Sequence, residues 1–319
     1  MQRTVDALDR SPCAVRQGRR VVVGRRYGQP MQLISIGDPL DQGIARNLLK
    51  ELEEIPRLTA RWQKIQQVAT KRGSEQADDD RRTAWLQLSH FVEVCFNMAI
   101  DNLEALRVLL VPEPGNLVLR QTAHYPNLRA AMEAASLGLW LVQSDDARTR
   151  IVRLLCARVS DLKHAQRLDS DSAAMFGTAT KEHRSMAARV QRESAAQRRG
   201  HLSQIRRIAA AESIVSEEWE GGQPGYQELI STASTEAGHD GEHAGIVWRI
   251  ISGFTHPSAL RTAHFSSTES VRDNEDGTQY VLWSSNPLYV AFALLVAMSN
   301  LRAAVEIYAA RKIRPAPKG

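Results

Sequence analysis

The run Pro126-Asn127-Leu128-Arg129-Ala130-Ala131-Met132-Glu133-Ala134-Ala135-Ser136-Leu137-Gly138-Leu139-Trp140-Leu141-Val142 decides the fold. Leu128, Met132, Ala135, Leu139 and Val142 recur at helical spacing, and Leu137, Trp140 and Leu141 fill the other side. A helix that is apolar all round must be covered on every side, which puts this one in the middle of a helical bundle. Glu133 is its only acid. A carboxylate in such surroundings needs a cation or a set of donors. Arg129, one turn earlier, is one candidate partner, and Arg249, far along the chain, is another.

Outward from that centre, helical periodicity dominates from about residue 41. Asp41 to Arg72 reads as one helix or two, with Pro56 as the break. Asp78-Asp79-Asp80 opens the next, where the helix dipole favours acids; Trp85, Leu88, Phe91, Val92, Cys95, Met98, Leu103 and Leu106 form its apolar side. Asp145-Asp146 opens another, through Ile151, Leu154, Leu155 and Val159 to Leu162. Residues 180–214 are a long polar helix with a thin stripe of Met186, Val190, Leu202, Ile205 and Ile208. Ala263-His264-Phe265 and Gln279-Tyr280-Val281-Leu282-Trp283 flank a turn-rich loop from Arg272 to Gly277, the pattern of a β-hairpin. The last helix runs from Pro287 to about Arg311. The expected fold is mainly α: a bundle of about six to eight helices with a small β-hairpin insertion near the C-terminus. Residues 1–40 are a basic arm or a short β-hairpin (Arg19 to Arg26 with Met31 to Ile36), residues 41–313 the bundle, and 314–319 a tail.

Hydrophobic content of 43% and charged content of 24% are ordinary for a globular chain of 319 residues. The formal charge is +5, carried mostly by arginine, whose planar fork of donors suits phosphate. Arg184 to Arg207 is the densest basic stretch; it reads as a phosphate-binding face, or as a solvated helix balanced by Glu182, Glu193 and Glu212. Cys13, Cys95 and Cys156 are widely spaced and fit a reducing compartment. The first residues lack the apolar core of a signal peptide, and Leu288 to Met298 is short for a membrane span, so a cytoplasmic protein outside the membrane is expected. No glycine-rich phosphate loop supports an NTPase or dehydrogenase. His239 and His243 have the spacing of a metal pair, but no third ligand is nominated, and no metal or cofactor is expected.

Chemistry is concentrated in Ile246-Val247-Trp248-Arg249-Ile250-Ile251-Ser252-Gly253-Phe254-Thr255-His256-Pro257-Ser258. Arg249 is a lone charge in an apolar run, which implies either a carboxylate partner such as Glu133 or an anion-binding pocket. His256, seven residues on, is the side chain suited to moving a proton near neutral pH. On a continuous helix the two would lie two turns, roughly 10 Å, apart on one side, with Ser252 between them as a supporting hydroxyl. That pair suits metal-independent phosphodiester cleavage: His256 takes the proton of a ribose 2′-hydroxyl, and Arg249 stabilises charge growing on the phosphate.

The Arg–x6–His spacing on a late helix resembles the HEPN superfamily (higher eukaryotes and prokaryotes nucleotide-binding). The segment from Trp248 to Pro257, with the upstream helix Asn127 to Glu133 and Trp140 beyond it, is also similar to uncharacterised helical proteins of actinobacterial type. The similarity spans roughly residues 80–310, with few specific positions. It implies an endoribonuclease of a toxin or anti-phage system, with RNA as substrate, a homodimer pairing two motifs, and an antitoxin or regulatory partner. Ile250 departs from the polar residue common after the arginine, and Gly253 and Pro257 interrupt the helix between the two residues. The alternative is a non-catalytic helical interaction protein in which Arg249 pairs with Glu133.

Overall fold

The computed structural model describes residues 21–23, 39–175, 180–273 and 279–317. It is mainly helical. In chain order the elements are β1 (Val21–Val23), α1 (Pro39–Gln67), α2 (Glu75–Arg82), α3 (Leu88–Leu110), α4 (Tyr125–Val142), α5 (Ala147–Met175) and α6 (Lys181–Ala211). There follow a 3-10 turn (Ser216–Glu218), α7 (Tyr226–Glu236), α8 (Gly241–Phe254), α9 (Ala259–Phe265), β2 (Ser267–Asp273), β3 (Gln279–Ser284) and α10 (Pro287–Arg311).

The central helix is α4, as its composition requires: 13 of its 18 residues are buried. It packs against α3, α10, α7, α8 and α5. Gly138 lets α3 approach, since a Cβ there would lie 2.6 Å from the Phe96 ring. Each large side chain buried along it, such as Leu128 or Met132, contributes about 1.5–3 kcal/mol. Edge-on contacts of the Trp62, Phe96 and Tyr308 rings, with centroids 5.0–5.7 Å apart, join α1, α3 and α10. Asn300 on α10 donates to Ser136 (2.9 Å) on α4 and Ser234 (3.0 Å) on α7, a buried polar lock at a three-helix junction.

Two arginines close the C-terminal end of α4. Arg311 donates to the Val142 carbonyl at 3.0 Å and the Ser144 carbonyl at 2.7 Å, and pairs with Glu75. Arg150 donates to the Ser144 and Asp145 carbonyls at 2.8 and 3.0 Å, and pairs with Asp79. Cations at a helix C-terminus meet both the dipole and the orphan carbonyls.

By length and composition α10 could cross a bilayer. Here half of its most apolar stretch is buried, against α4, α1 and α8. β2 pairs antiparallel with β3, from Ser267 opposite Ser284 to Asp273 opposite Gln279, and β1 lies parallel on the far side of β3. Residues 274–278 between β2 and β3, and the expected strand Met31 to Ile36, lie outside the described residues.

Four local expectations are corrected. Ala263-His264-Phe265, read as the first hairpin strand, is the end of α9, whose start is capped by the Ser258 hydroxyl, and the strand begins only at Ser267. Pro56 does not break α1, because buried Leu52, Ile55, Leu58 and Trp62 hold both halves on one core and offset the missing hydrogen bond. Asp78-Asp79-Asp80 belongs to the separate helix α2, and the middle acid is buried against Arg150. Trp85 and Met98 are exposed: Trp85 sits before α3 in a turn with φ of 77°, and Met98 lies on the outer side of α3.

Candidate functional site

Helix α8 starts at an Asp240 cap, whose carboxylate accepts from the His243 backbone N–H at 3.0 Å, and its first turn holds Glu242. It packs on α7 through two glycines. A Cβ on Gly241 would lie 2.2 Å from the Ser231 carbonyl oxygen, and one on Gly245 2.2 Å from the Ser231 hydroxyl. This close approach brings Gln227 of α7 to Arg249, whose Nε donates to Gln227 Oε1 at 3.0 Å.

Arg249 is therefore not a buried charge. Besides its three glycines, the covered residues of α8 are Ala244, Val247, Ile251 and Phe254, one helical stripe. Each residue turns the helix by about 100°, so Arg249, flanked by apolar residues in sequence, points to solvent with Ile246. The expected Glu133–Arg249 pair does not form. Glu133 instead accepts from Arg129 Nε at 2.7 Å and from the indole N–H of Trp248 at 2.9 Å. The Arg129 guanidinium also lies 5.7 Å from the Trp248 ring centroid and donates to the Thr255 hydroxyl at 3.2 Å.

The helix ends at Phe254, so Arg249 and His256 do not share one continuous helix. Thr255 caps it, its hydroxyl donating to the Ser252 carbonyl at 2.7 Å. Ser252 is half-buried, between the two proposed catalytic residues. His256 is exposed in the bend that follows, before Pro257. A residue not anticipated from sequence, Arg261 at the start of α9, lies across Gly253, where a Cβ would be 2.0 Å from Nη1. Arg129 and Arg261 thus place two guanidinium groups around the C-terminal end of α8, where its dipole favours positive charge.

A second constellation also escaped the sequence. His124, Tyr125 and Ser285 are buried together. The Ser285 hydroxyl lies 3.2 Å from His124 Nε2, 3.0 Å from Tyr125 Oη and 2.9 Å from the Gln121 carbonyl. Tyr125 stacks on Phe254 at 4.4 Å, which ties this cluster to the end of α8. Burial holds His124 down at about 3, so it is neutral, and pushes Tyr125 up to about 12. The only signal in the sequence was a histidine at the start of an apolar helix.

His243 bonds Asp240 at 2.5 Å, and among the described residues no group of three His, Cys, Asp or Glu side chains could hold a metal. Burial pushes the Cys95 and Cys156 thiols up, to about 12 and about 11, which makes poor nucleophiles of both. The chain matches no known protein family, no curated protein and no solved structure.

Proposed function

We propose that the protein is a HEPN-like, metal-independent endoribonuclease with His256 as general base and Arg249 as phosphate stabiliser. The observation that carries this reading is the exposure of both side chains, with Arg249 held, among the described residues, only at Nε by Gln227. That bond leaves the terminal nitrogens of the fork free to meet a phosphate from solvent. In the reaction, His256 takes the proton of a ribose 2′-hydroxyl and the 2′-oxygen attacks phosphorus. The P–O5′ bond breaks, and the departing 5′-oxygen takes a proton from water. Arg249 stabilises the added negative charge on the phosphate oxygens, and Ser252 supports the turn between the two. Ile246 and Leu260, exposed on either side of Arg249 and His256 in sequence, suit a homodimer that covers them and brings two such sites together. A role in a toxin or phage-defence system, with an antitoxin or regulatory partner, belongs to the same reading.

The test is RNA cleavage in EDTA. Wild type leaves 2′,3′-cyclic phosphate ends, and His256→Ala and Arg249→Ala lower the rate at least about 100-fold. Equal cleavage by all three removes the catalytic claim and leaves the second reading, a non-catalytic helical interaction protein. That reading draws on the Arg129–Glu133–Trp248 contacts, which engage the carboxylate next to α8 from within the bundle.

A further inference from the structure

The net charge of this chain is not spread over its surface. Residues 161–207 hold ten Lys and Arg against five Asp and Glu, a surplus equal to the formal +5 of the whole protein. The described ones form the outer parts of α5 and α6, which lie beyond the core: none of them is buried between Val159 on α5 and Ile205 on α6. The seam joining the two helices is polar. Gln191 and Ser194 of α6 both reach Asp169 of α5, which also pairs with Arg198. That seam leaves the opposite side of α6 uncovered.

About a quarter-turn round the helix from the seam, Arg192, Arg199 and Arg206 form one row, seven residues apart, hence roughly 10 Å between neighbours. Arg189 and Arg207 flank the row, and all five are exposed. Several surface arginines elsewhere are paired, Arg57, Arg81, Arg148 and Arg302 among them, each with a carboxylate. Among the described residues, only Arg189 of the five has one within reach, Glu193 at 3.9 Å. Exposed like charges spaced about 10 Å apart along one helix face complement an extended polyanion.

We infer that this face of α6 docks the phosphate backbone of duplex RNA. The choice of RNA over DNA rests on the proposed ribonuclease reading. The choice of a duplex rests on composition: neither α5 nor α6 contains a Phe, Trp or Tyr on which unpaired bases would stack. A membrane surface fits less well. The exposed apolar pair Met186 and Val190 lies on the other flank of α6, and Ser185, Ala196, Gly200 and Ser203 accompany the arginine row. A straight row of guanidinium groups on a rigid helix reads backbone charge, so binding will be independent of sequence and steeply dependent on salt.

The test uses the full chain and a 2′-O-methyl RNA duplex, which binds without being cleaved, followed by fluorescence anisotropy. The triple variant R192Q/R199Q/R206Q is expected to bind at least about 10-fold more weakly, with the salt slope reduced by about one per arginine. R192K/R199K/R206K keeps the slope, which separates charge loss from any disturbance of α6. Binding is read on a duplex that cannot be cleaved, so failure of the cleavage reading and failure of this one are told apart. The inference is overturned by an unchanged affinity in the glutamine triple. Tighter binding to the single strand, to the matching DNA duplex or to phosphatidylserine vesicles also overturns it.

Discussion

Arg150 and Asp79 meet as a two-pronged ion pair inside the bundle, Nε to Oδ2 at 2.7 Å and Nη2 to Oδ1 at 2.8 Å, each side chain 2% exposed. The pair fastens α2 to α5, and the same guanidinium reaches the carbonyls that follow α4. Removing one partner leaves an uncompensated charge in the core. Asp79→Ala is therefore expected to cost about 3–5 kcal/mol, measured by urea unfolding. The double variant Asp79→Leu/Arg150→Met recovers much of that loss, because it leaves no buried charge, though the two carbonyls still lose donors. An Asp79→Ala protein as stable as wild type would show that the contact contributes nothing.

His124 predicts a pH dependence. Its folded value, held at about 3 by burial, lies below the ordinary imidazole value of about 6.5. The unfolded chain thus binds a proton that the folded chain refuses. The stabilisation is complete above about pH 6.5 and is lost as pH falls toward 3, at up to about 1.4 kcal/mol per pH unit. Burial pushes the Asp79, Asp80 and Asp161 carboxyls up toward the same range, so the histidine is read from the difference between two variants. Urea midpoints between about pH 6.5 and 5 should fall more steeply for wild type than for His124→Asn. Parallel curves would mean that His124 charges in place.

The centre of this fold could be read from the chain because α4 is apolar on all sides, and one helix of that kind dictates a ring of others. Its flanking ion pairs could not. Glu75 and Arg311 are 236 positions apart, and no spacing rule says which of many acids meets which arginine. Arg249 illustrates a different limit. Its sequence neighbours are apolar, yet rotation along α8 turns it outward, and the adjacent Trp248 reaches Glu133 instead. Ser285 and His124, 161 positions apart, meet only because α10 begins beside the start of α4. Local pattern reports the face of a helix; partners on that face come from topology.

The glycines give a paired prediction of opposite sign. In Gly241→Ala the new methyl group would lie 2.1 Å from the Thr235 hydroxyl and 2.2 Å from a backbone oxygen, so α7 and α8 must separate. Overpacking of this kind costs about 1–3 kcal/mol. Gly200, inside α6, has nothing within 4 Å of a built Cβ, and Gly200→Ala should stabilise by about 0.5–1 kcal/mol through helix propensity. Thermal unfolding of both variants checks the pair. Equal shifts would mean that α7 and α8 have room to spare.

Gln227 offers the sharpest probe of the ribonuclease reading, because it touches Arg249 through one bond and is not itself part of the chemistry. Gln227→Ala frees the guanidinium without adding or removing charge. It should leave stability within about 0.5 kcal/mol and lower kcat by about 10-fold through lost positioning, with little change in KM. Gln227→Glu keeps an acceptor near the same place but partly neutralises the guanidinium. It should raise KM for RNA, most of all at low salt, where the added carboxylate repels phosphate least screened. A structural role for Arg249 predicts the reverse order: the alanine variant lowers the melting temperature, and neither variant alters RNA turnover. Kinetics on both variants, beside their melting curves, therefore decide whether the fork on α8 faces a substrate or only water.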